Sequence, residues 1–410
     1  MSLAALEREL TRWLIRCGLE ACDEAVMLEG FCDRLVSGGV PLWRVATGGK
    51  LLHPLLDARG CRWLRGQGCV KEDYAREEVA DDNEDWVRSP FYHLLHRLNA
   101  AELHRPLDGS HRRDEFPLLD RFQDEGSTDY LALTIEYGRD ARQTQVRGML
   151  CSFQTDRAGG FSDPELELLR QLSQPLAMAY QAVDAVETAM TLVTTYLGAD
   201  AGRRVLDGAI ARGTAESVRA VLWYSDLEGF TRIADTAPAD ELLALLNDYA
   251  AAVVASVHAH GGQVMKFIGD GILAMFPLAD GRTPCRRALD AAVEAAAATD
   301  RLSRHRAEAG QLVSGIHVAL HVGDMLYGNI GSPDRLDFTV VGPAVNEVAR
   351  IEALCRSLEQ QVIVSAAFAR DAGPARTRLV SLGRFALKGV HRPEELFTLD
   401  SEARLALDPG

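Results

Sequence analysis

The sequence predicts an α/β protein of the α+β type, with a ferredoxin-like C-terminal domain joined by a long helix to an N-terminal α+β domain. From about residue 217, predicted strands and helices follow the order β-α-β-β-α-β, which is the ferredoxin-like arrangement. The preceding segment repeats apolar residues at helical spacing, and the first 160 residues mix short helices and strands. We therefore predict an N-terminal domain at 1–162, a helical coiled-coil linker at 163–214, a C-terminal domain at 215–400 and a tail at 401–410.

The composition is that of a globular, acidic protein. Of the 410 residues 47% are apolar, and the formal net charge is -15. Such a charge disfavours nucleic acid and anionic membranes as partners, because both require a basic face. No apolar run approaches the ~18 residues of a membrane span and the N-terminus lacks a signal peptide, so we expect a cytoplasmic protein. The eight cysteines show no CxxC spacing, which favours reduced, buried thiols over a metal or redox site.

Two strands and a helix are predicted at the end of the N-terminal half. "YLALTIEY" and "VRGMLCSFQT" have strand-like apolar patterns and are separated by the polar turn "GRDARQTQ". "GGFSDPELELLRQL" then begins a helix, with Ser162 or Asp163 at the N-cap and Pro164 at the first position. The acidic stretch "KEDYAREEVADDNEDW", further upstream, is predicted to be a solvated loop.

The helix that begins there is predicted to continue for four heptads. Its apolar residues alternate steps of three and four, the pattern of a coiled-coil seam. The pattern favours a parallel dimer seam over an amphipathic helix packed on its own domain; Pro175 is a candidate kink, and Gly198 ends the helix. The seam residues are Leu169, Leu172, Leu176, Ala179, Val183, Val186, Met190, Val193 and Leu197.

The C-terminal domain begins with the buried strand "VRAVLWYS" and the helix "ADELLALLNDYAAAVVASVHAHGG". "QVMKFI" and "ILAMF" are two strands joined by the tight turn Gly269-Asp270-Gly271. An alanine-rich helix at about 283–308, the strand "GIHVALHV", and "DFTVVG" leading into the helix "PAVNEVARIEALC" complete the order. Because four residues of extended chain span about 13 Å, Lys266 and Asp270 are not expected to pair with each other.

Two aspartates are predicted to converge at one end of this sheet. Asp226 ends the first strand and Asp270 lies at the tip of the hairpin, and these strands are neighbours in the ferredoxin-like order. Converging carboxylates without histidine or cysteine suit Mg²⁺ or Mn²⁺, hard ions that also hold substrate phosphates. We assign Asp226, Asp270 and the adjoining Leu227 to a metal site. Each aspartate taken alone is more simply a surface turn residue.

A phosphate cradle is predicted directly after Asp226. "LEGFT" starts a helix, whose free N–H groups favour an anion, and Gly229 allows close approach. The residues assigned to the phosphate tail are Leu227, Glu228, Gly229, Phe230 and Thr231.

Three motifs resemble the catalytic domain of the class III adenylate and guanylate cyclases. They are "VLWYSDLEGFT", "HGGQVMKFIGDGILAMFP" and "GNIGSPDRLDFTVVGPAVNEVARIEALC", in the order of that family and within residues 215–400. The resemblance implies an enzyme that converts ATP to 3',5'-cyclic AMP and pyrophosphate, with two Mg²⁺ or Mn²⁺ ions per site. It also implies a homodimer whose two active sites lie across the interface.

The same resemblance implies roles for five further residues. Lys266 and Thr339 match the pair that selects the purine, and lysine with threonine favours ATP, as in a bacterial-type subgroup of adenylate cyclases. Asn346 and Arg350 match the catalytic residues that orient the ribose and stabilise charge at the α-phosphate. Lys388 matches the lysine that reaches the β- and γ-phosphates.

Two departures keep other functions open. Asp324 stands where some cyclases have a phosphate-contacting arginine, and Glu347 stands where the family usually has an uncharged residue. The alternatives are a weakly active or inactive nucleotide-binding signalling module and a guanylate cyclase. A diguanylate cyclase is disfavoured, because "FIGDG" replaces the "GGDEF" hairpin.

The end of the N-terminal half resembles the closing part of a GAF-type sensory domain. The resemblance rests on "TDYLALTIEY", "GMLCSFQTDRAGGFSDPELELLRQL" and their order of strands, turn and exit helix. It implies a domain that regulates the catalytic half through the linker, with an unknown small-molecule ligand. A plain dimerisation module is the alternative.

Overall fold

The computed structural model of the protein describes residues 2–76, 84–98, 100–109, 115–137, 148–278, 283–389 and 393–400. The chain divides into two compact units, Met1–Leu192 and Val193–Gly410. The division lies inside the predicted linker at 163–214, and the predicted tail at 401–410 lies outside the described residues.

The helices vary in length from 4 to 35 residues. They are α1 (Leu3–Leu19), α2 (Glu24–Ser37), α3 (Glu84–Val87), α4 (Pro90–His93), α5 (Pro117–Asp124), α6 (Asp163–Leu197), α7 (Ala199–Leu206), α8 (Phe230–Ala234), α9 (Ala239–Ala259), α10 (Thr283–Glu308), α11 (Pro343–Glu352), α12 (Cys355–Leu358) and α13 (Ala366–Asp371). A π-helical turn, Leu94–Leu98, and a 3-10 helix, Gly373–Arg378, accompany them.

The strands form one sheet in each unit. The first sheet contains β1 (Arg44–Lys50), β2 (Leu56–Leu64), β3 (Gly68–Ala75), β4 (Glu102–Pro106), β5 (Asp129–Glu136) and β6 (Gly148–Thr155). The second contains β7 (Ala215–Leu227), β8 (Gln263–Ile268), β9 (Gly271–Pro277), β10 (Ile316–Gly331), β11 (Leu336–Val341), β12 (Val362–Ser365), β13 (Leu379–Phe385) and β14 (Glu394–Leu399).

The N-terminal sheet is antiparallel, in the order β3-β2-β1-β6-β5-β4. The predicted strands "YLALTIEY" and "VRGMLCSFQT" are β5 and β6, which pair from Asp129↔Thr155 to Glu136↔Gly148. The predicted turn between them lies outside the described residues. Leu131 and Leu133 enter a large core shared with α1, α2 and α6, whereas the alternating Tyr130 enters a smaller core on the other face.

The predicted loop over the acidic stretch is wrong in its first part. Residues 71–75 belong to β3, which pairs with β2 at the edge of the sheet. Charged side chains are common on edge strands, because they discourage pairing with another chain. The high charge of this stretch therefore marks an edge strand, while residues 77–83 lie outside the described part.

Helix α6 begins where the sequence predicted, but the first half of its apolar seam packs inside the N-terminal unit. Ser162 donates its N–H to Glu165 Oε2 at 2.7 Å, the reciprocal contact of a capping box. The first five seam positions are buried within their own unit, so the predicted dimer contact is wrong for them. They are Leu169, Leu172, Leu176, Ala179 and Val183, of which the first four lie in the large core shared with α1 and α2. The seam stays a prediction for Val186, Met190, Val193 and Leu197.

The C-terminal unit has the predicted ferredoxin-like order. Its central strands lie in the order β10-β7-β9-β8, and they follow one another along the chain as β7-α9-β8-β9-α10-β10. In β7, Trp223 faces the core formed with α9 and α10, and the adjacent Leu222 faces the core formed with α11. The strands β12, β14 and β13 extend the sheet beyond β10, and β11 pairs with the far end of β10.

Helix α9 is the one helix in the described ranges that is long and apolar enough, by length and composition, to cross a membrane. Tyr249, Val253 and Val257 recur along one side and are buried in the core of the C-terminal unit. Such burial is typical of a core helix, although only 28% of the most apolar window is buried. The absence of a membrane span stays a prediction.

The hairpin between β8 and β9 is as tight as predicted. Its last pair is Ile268↔Gly271, which leaves Gly269 and Asp270 as a two-residue turn. Gly269 has a φ of 63°, which a residue without Cβ adopts at little cost. The turn places Asp270 beside the end of β7, because β9 pairs with β7 up to Ser225↔Ile272.

Candidate active site

The two predicted metal-site aspartates meet at the end of β7. Asp270 Oδ2 accepts a hydrogen bond from the Leu227 N–H at 3.3 Å. Burial, a hydrogen bond to the Asp270 carboxyl and the charge of Asp270 together raise the pKa of Asp226 to about 8. Two carboxylates in this position repel each other unless a proton or a cation lies between them.

This carboxylate pair fits a hard divalent cation. Asp226 and Asp270 supply oxygen ligands of the kind that Mg²⁺ and Mn²⁺ prefer. In the described part of the chain, no group of three or more His, Cys, Asp or Glu side chains is arranged to hold a metal. The remaining ligands would therefore be backbone oxygen, water and substrate phosphate, as is usual for Mg²⁺ at phosphate sites.

A third carboxyl near this pair was missed from the sequence. Glu352 is 9% exposed, and burial followed by the charge of Asp270 raises its pKa to about 7. His317, which pairs with Asp226 across β7 and β10, has Nδ1 3.8 Å from Glu352 Oε1. The only signal for Glu352 in the sequence is its spacing of four from the buried Val348 on the inner face of α11.

The predicted phosphate cradle is smaller than the sequence suggested. Helix α8 has five residues and begins after Gly229, whose φ is 70°. The N–H of Leu227 donates to Asp270, and the N–H of Glu228 donates to the Gly315 carbonyl at 2.9 Å. Both groups are thus committed within the protein, and the cradle is left to Gly229, Phe230 and Thr231.

Lys266 lies against β11, the strand that carries Thr339. Its Nζ donates to the Asp337 carboxylate. Asp337 and Thr339 are two residues apart on β11 and therefore share one face of the strand. The structure thus brings Lys266 to the face of β11 that carries Thr339. It also adds Asp337 to this face, a position that the alternation of side chains along "LDFT" predicts.

The predicted catalytic residues share one side of α11. Asn346 is exposed, Arg350 is half-buried, and Val348 and Ile351 turn towards the core. The Arg350 guanidinium lies beside Gly389, since a Cβ at Gly389 would be 3.6 Å from Arg350 Nη2. Lys388 precedes this glycine in an exposed turn, so Arg350 and Lys388 lie in one region.

Glu347, one of the two departures, has a partner inside the protein. Its Oε2 lies 3.3 Å from His321 Nε2, while His321 Nδ1 lies 2.9 Å from the Ser365 hydroxyl. Ser365 Oγ accepts from the Phe368 N–H and can donate its own hydrogen to Nδ1. Burial and the charge of Arg219 lower the pKa of His321 to about 4, so the contact at 3.3 Å joins a neutral imidazole to the Glu347 carboxyl. The contact ties α11 to the sheet.

Asp324, the other departure, lies opposite Arg219 on β7. The two side chains approach to 3.5 Å on the surface, and Arg219 also lies 3.3 Å from Asp371. Asp324 is seven residues along β10 from His317, the partner of Asp226, which is about 23 Å of extended chain. It therefore lies far from the carboxylate pair of its own chain.

The assigned residues form separate groups within one chain. Among the described residues, neither Asp226 nor Asp270 makes a hydrogen bond or ion pair with Lys266, Arg350 or Lys388. One group is the carboxylate pair, a second is Lys266 with the face of β11, and a third is the outer side of α11 with the turn at Lys388. No hydrogen bond or ion pair joins one group to another within residues 2–76, 84–98, 100–109, 115–137, 148–278, 283–389 and 393–400.

Residues 214–401 match the family model described as the adenylate and guanylate cyclase catalytic domain. An adenylate cyclase of Anabaena cylindrica is 31% identical over 163 residues, which are 39% of this chain and 32% of that protein. The chain thus spans about a third of the length of that curated relative.

Two solved structures are also similar to part of the chain. A bacterial light-regulated adenylyl cyclase is 27% identical with a TM-score of 0.40, covering 45% of this chain and 91% of that one. The guanylyl cyclase Cya2 is 26% identical with a TM-score of 0.41, covering 45% of this chain and 93% of that one.

Proposed function

We propose, from the adenylate and guanylate cyclase catalytic domain carried by residues 214–401, that the protein converts ATP to 3',5'-cyclic AMP and pyrophosphate. The observation that carries the proposal is the meeting of Asp226 and Asp270 at the end of β7. A half-buried pair of acids in which one carboxyl raises the pKa of the other is typical of a site that neutralises them with a cation. The family match gives that site its reaction class.

In the proposed reaction, the ribose 3'-oxygen attacks the α-phosphorus in line with the departing pyrophosphate. One O–P bond forms, the bond between the α-phosphorus and the bridging oxygen breaks, and the hydroxyl proton passes to water. Two Mg²⁺ or Mn²⁺ ions bound at Asp226 and Asp270 would lower the pKa of the 3'-hydroxyl and neutralise triphosphate charge. Asn346 orients the ribose, Arg350 neutralises charge at the α-phosphate, and Lys388 holds the β- and γ-phosphates.

The base assignment rests on Lys266 and Thr339. A lysine ammonium donates to the unprotonated ring nitrogen at the edge of adenine, whereas guanine presents an N–H there. Asp337 fixes the lysine along β11, on the face that carries Thr339. Since Asp337 can also accept a hydrogen bond from guanine once the lysine moves, we keep guanylate cyclase as the second candidate.

Product analysis tests the proposal. With Mn²⁺ and either ATP or GTP, we expect the full chain to form cyclic AMP, identified by mass. Lys266→Ala should lower kcat/KM for ATP by about 10- to 100-fold, the effect of losing a hydrogen bond from a charged donor. Arg304→Ala removes an exposed cation from α10 and should change nothing. Cyclic GMP as the main product would reverse the base assignment, and absence of any cyclic product would favour the nucleotide-binding module.

The two departures support an active enzyme. Asp324 is paired with Arg219, which offsets its charge, and the Glu347 carboxyl lies 3.3 Å from His321 on β10, so both acids have contacts within their own chain. Arg350, on the same helix as Glu347, is one turn further along and on the side that faces Gly389. The weakly active module therefore has little physical support in these residues.

We further propose a homodimer with shared sites. The three groups of assigned residues stay apart in one chain, and a second copy would bring the carboxylate pair of one chain to Arg350 and Lys266 of the other. Exposed apolar side chains around these groups support such an interface, because large apolar side chains seldom cluster at a free surface. They include Phe267, Ile268, Leu326, Ile330 and Leu336.

The N-terminal unit is proposed to be a GAF-like regulatory domain that acts through α6. Helix α6 is continuous from Asp163 to Leu197, and its first half is fixed in the core of the N-terminal unit. Leu197 and α7 pack in the C-terminal unit, so a shortened chain must keep them and should begin at Val193. We expect this chain, assayed where both forms are dimers, to differ several-fold in specific activity from the full chain. Equal activity would contradict regulation.

A further inference from the structure

The N-terminal unit contains a hollow between α2, α6 and the sheet. The space in it that can hold a water-sized group is about 40 Å³, and its mouth is open to solvent. One such group needs about 10–15 Å³ on this measure, so the hollow has room for an ammonium group. The side chains that matter for its chemistry are Glu24, Thr47, Lys50, Arg59, Tyr180 and Asp184.

Glu24 is the unusual group in this hollow. It is the first residue of α2 and is only 5% exposed. Its carboxyl makes neither a hydrogen bond nor an ion pair with any residue in the described part of the chain. An isolated buried carboxylate costs several kcal/mol or takes up a proton. Burial and the charge of Glu187 accordingly raise the pKa of Glu24 to about 7.

The two cations that line the hollow are already engaged by other carboxylates. Arg59 lies 2.6 Å from Asp73 and 2.6 Å from Glu187. Lys50 lies 3.7 Å from Asp57. Arg59 acts on the Glu24 carboxyl through its charge but makes no ion pair with it in the described part of the chain.

The lining of the hollow also offers hydroxyl groups. Thr47 Oγ1 and the Tyr180 hydroxyl share a hydrogen bond of 2.9 Å, which leaves acceptor lone pairs on both oxygens. Gly49 is two residues from Thr47 on β1 and so faces the same side of the sheet. A Cβ at Gly49 would lie 2.9 Å from the Gly148 carbonyl oxygen, so the glycine permits the close approach of backbone at this side of the hollow.

We propose that this hollow binds a small organic cation with a primary ammonium group. The ammonium would donate one N–H to Glu24 and another to the Thr47 or Tyr180 hydroxyl, with Asp184 adding negative charge. An ammonium fits better than a metal ion, because no group of three or more His, Cys, Asp or Glu side chains is arranged for a metal among the described residues. It fits better than an anion, because the lining cations are taken.

Binding should strengthen as pH rises from about 6 to about 8. The ammonium pairs with the ionised form of Glu24, whose pKa in the free chain is about 7. The charged groups that act on Glu24 are Glu187 and Asp184 from α6, Arg59 from β2 and Lys71 from β3. These three elements together supply charges of both signs, and burial with the charge of Glu187 favours the protonated form of Glu24 until a cation enters.

Calorimetric titration of the full chain with methylammonium, ethanolammonium and putrescine tests the site. We expect saturable binding of at least one amine, weakened at least ten-fold by Glu24→Gln, which keeps the side-chain shape and removes the charge. Thr47→Val should also weaken binding. Arg121→Gln changes one charge on a residue that lines a different hollow of the same unit and should leave the affinity unchanged.

Thermal denaturation separates loss of the site from loss of the fold. Glu24→Gln removes a strained buried charge, so its Tm should equal or exceed that of the unchanged chain. If none of the amines binds at millimolar concentration, or if Glu24→Gln binds them as tightly, the site does not exist as proposed. Amine binding is measured without nucleotide, so its outcome does not depend on whether the chain is a cyclase. Product assays for cyclic nucleotide likewise do not depend on whether an amine binds.

Discussion

Asp270→Asn is expected to lower cyclic nucleotide formation at least about 10³-fold and, at the same time, to stabilise the metal-free chain. The loss follows because the asparagine amide is a poor ligand for a hard cation, and the phosphoryl transfer depends on that cation for charge neutralisation. The side chain still offers an oxygen to the Leu227 N–H, which Asp270 accepts at 3.3 Å, so the turn should keep its shape.

The expected stabilisation of the metal-free chain comes from the removal of repulsion between the two carboxyl groups. Asp226 carries a pKa of about 8 because burial and the Asp270 carboxyl disfavour its ionised form. Removing one of the two charges relieves this repulsion, and a gain of about 1 kcal/mol would raise Tm by about 2–4 °C for a unit of this size. Mn²⁺ should raise Tm in the unchanged chain, because it binds the folded state, and should do so far less in the variant.

Asp300→Asn provides the matched control for charge. Asp300 is an exposed residue of α10, so this change should leave both the rate and the response to Mn²⁺ as they were. Product assays measure the rate, and calorimetric scans with and without Mn²⁺ measure the Tm of each chain and its response to the ion. An Asp270→Asn chain that retained a tenth of the activity would exclude the carboxylate pair as the metal site.

Mixed dimers of Asp270→Asn and Arg350→Ala chains are expected to regain about a quarter of the unchanged activity, although each variant alone is nearly inactive. Half of the dimers in an equal mixture contain both chains, and each of these has one site with both lesions and one intact site. The expectation follows from the separation of the carboxylate pair from Arg350 within one chain. Arg350→Ala alone should cost about 10²- to 10³-fold, as for loss of one charge-stabilising donor.

A second mixture gives the control. Asp226→Asn with Asp270→Asn places both lesions in the same group of residues, so every site keeps a defect and no activity should return. Differently tagged chains, purified through both tags, establish that heterodimers are present. Heterodimers of Asp270→Asn and Arg350→Ala that stay inactive would contradict the shared site.

The fold of the C-terminal unit followed from the sequence because its elements carry strong local signals. The turn Gly269-Asp270 favours a tight hairpin, and β9 after it is a continuous apolar run. Once the ferredoxin-like order was recognised, the meeting of Asp226 and Asp270 was a consequence of neighbouring strands. In this unit the local sequence signals and the strand order predict the same arrangement of the two aspartates.

The wrong prediction for α6 concerns an apolar pattern that two different packing partners can satisfy. The seam from Leu169 to Val183 has the spacing of a coiled coil, but the same spacing serves a helix packed on its own sheet, and spacing does not identify the partner. Glu352 and Asp337 were missed for a different reason. Their importance comes from residues distant in sequence, Asp270 and Lys266, which only the folded chain brings near.

The separation of Lys266 and the β11 face from the carboxylate pair has an evolutionary meaning. Positions 266, 337 and 339 can vary together without disturbing Asp226 and Asp270, because no hydrogen bond or ion pair in the described part of the chain links the two groups. Under the proposed function, substitutions at these three positions would therefore change the preferred base while the reaction itself continues. A new base specificity would then need few changes in sequence.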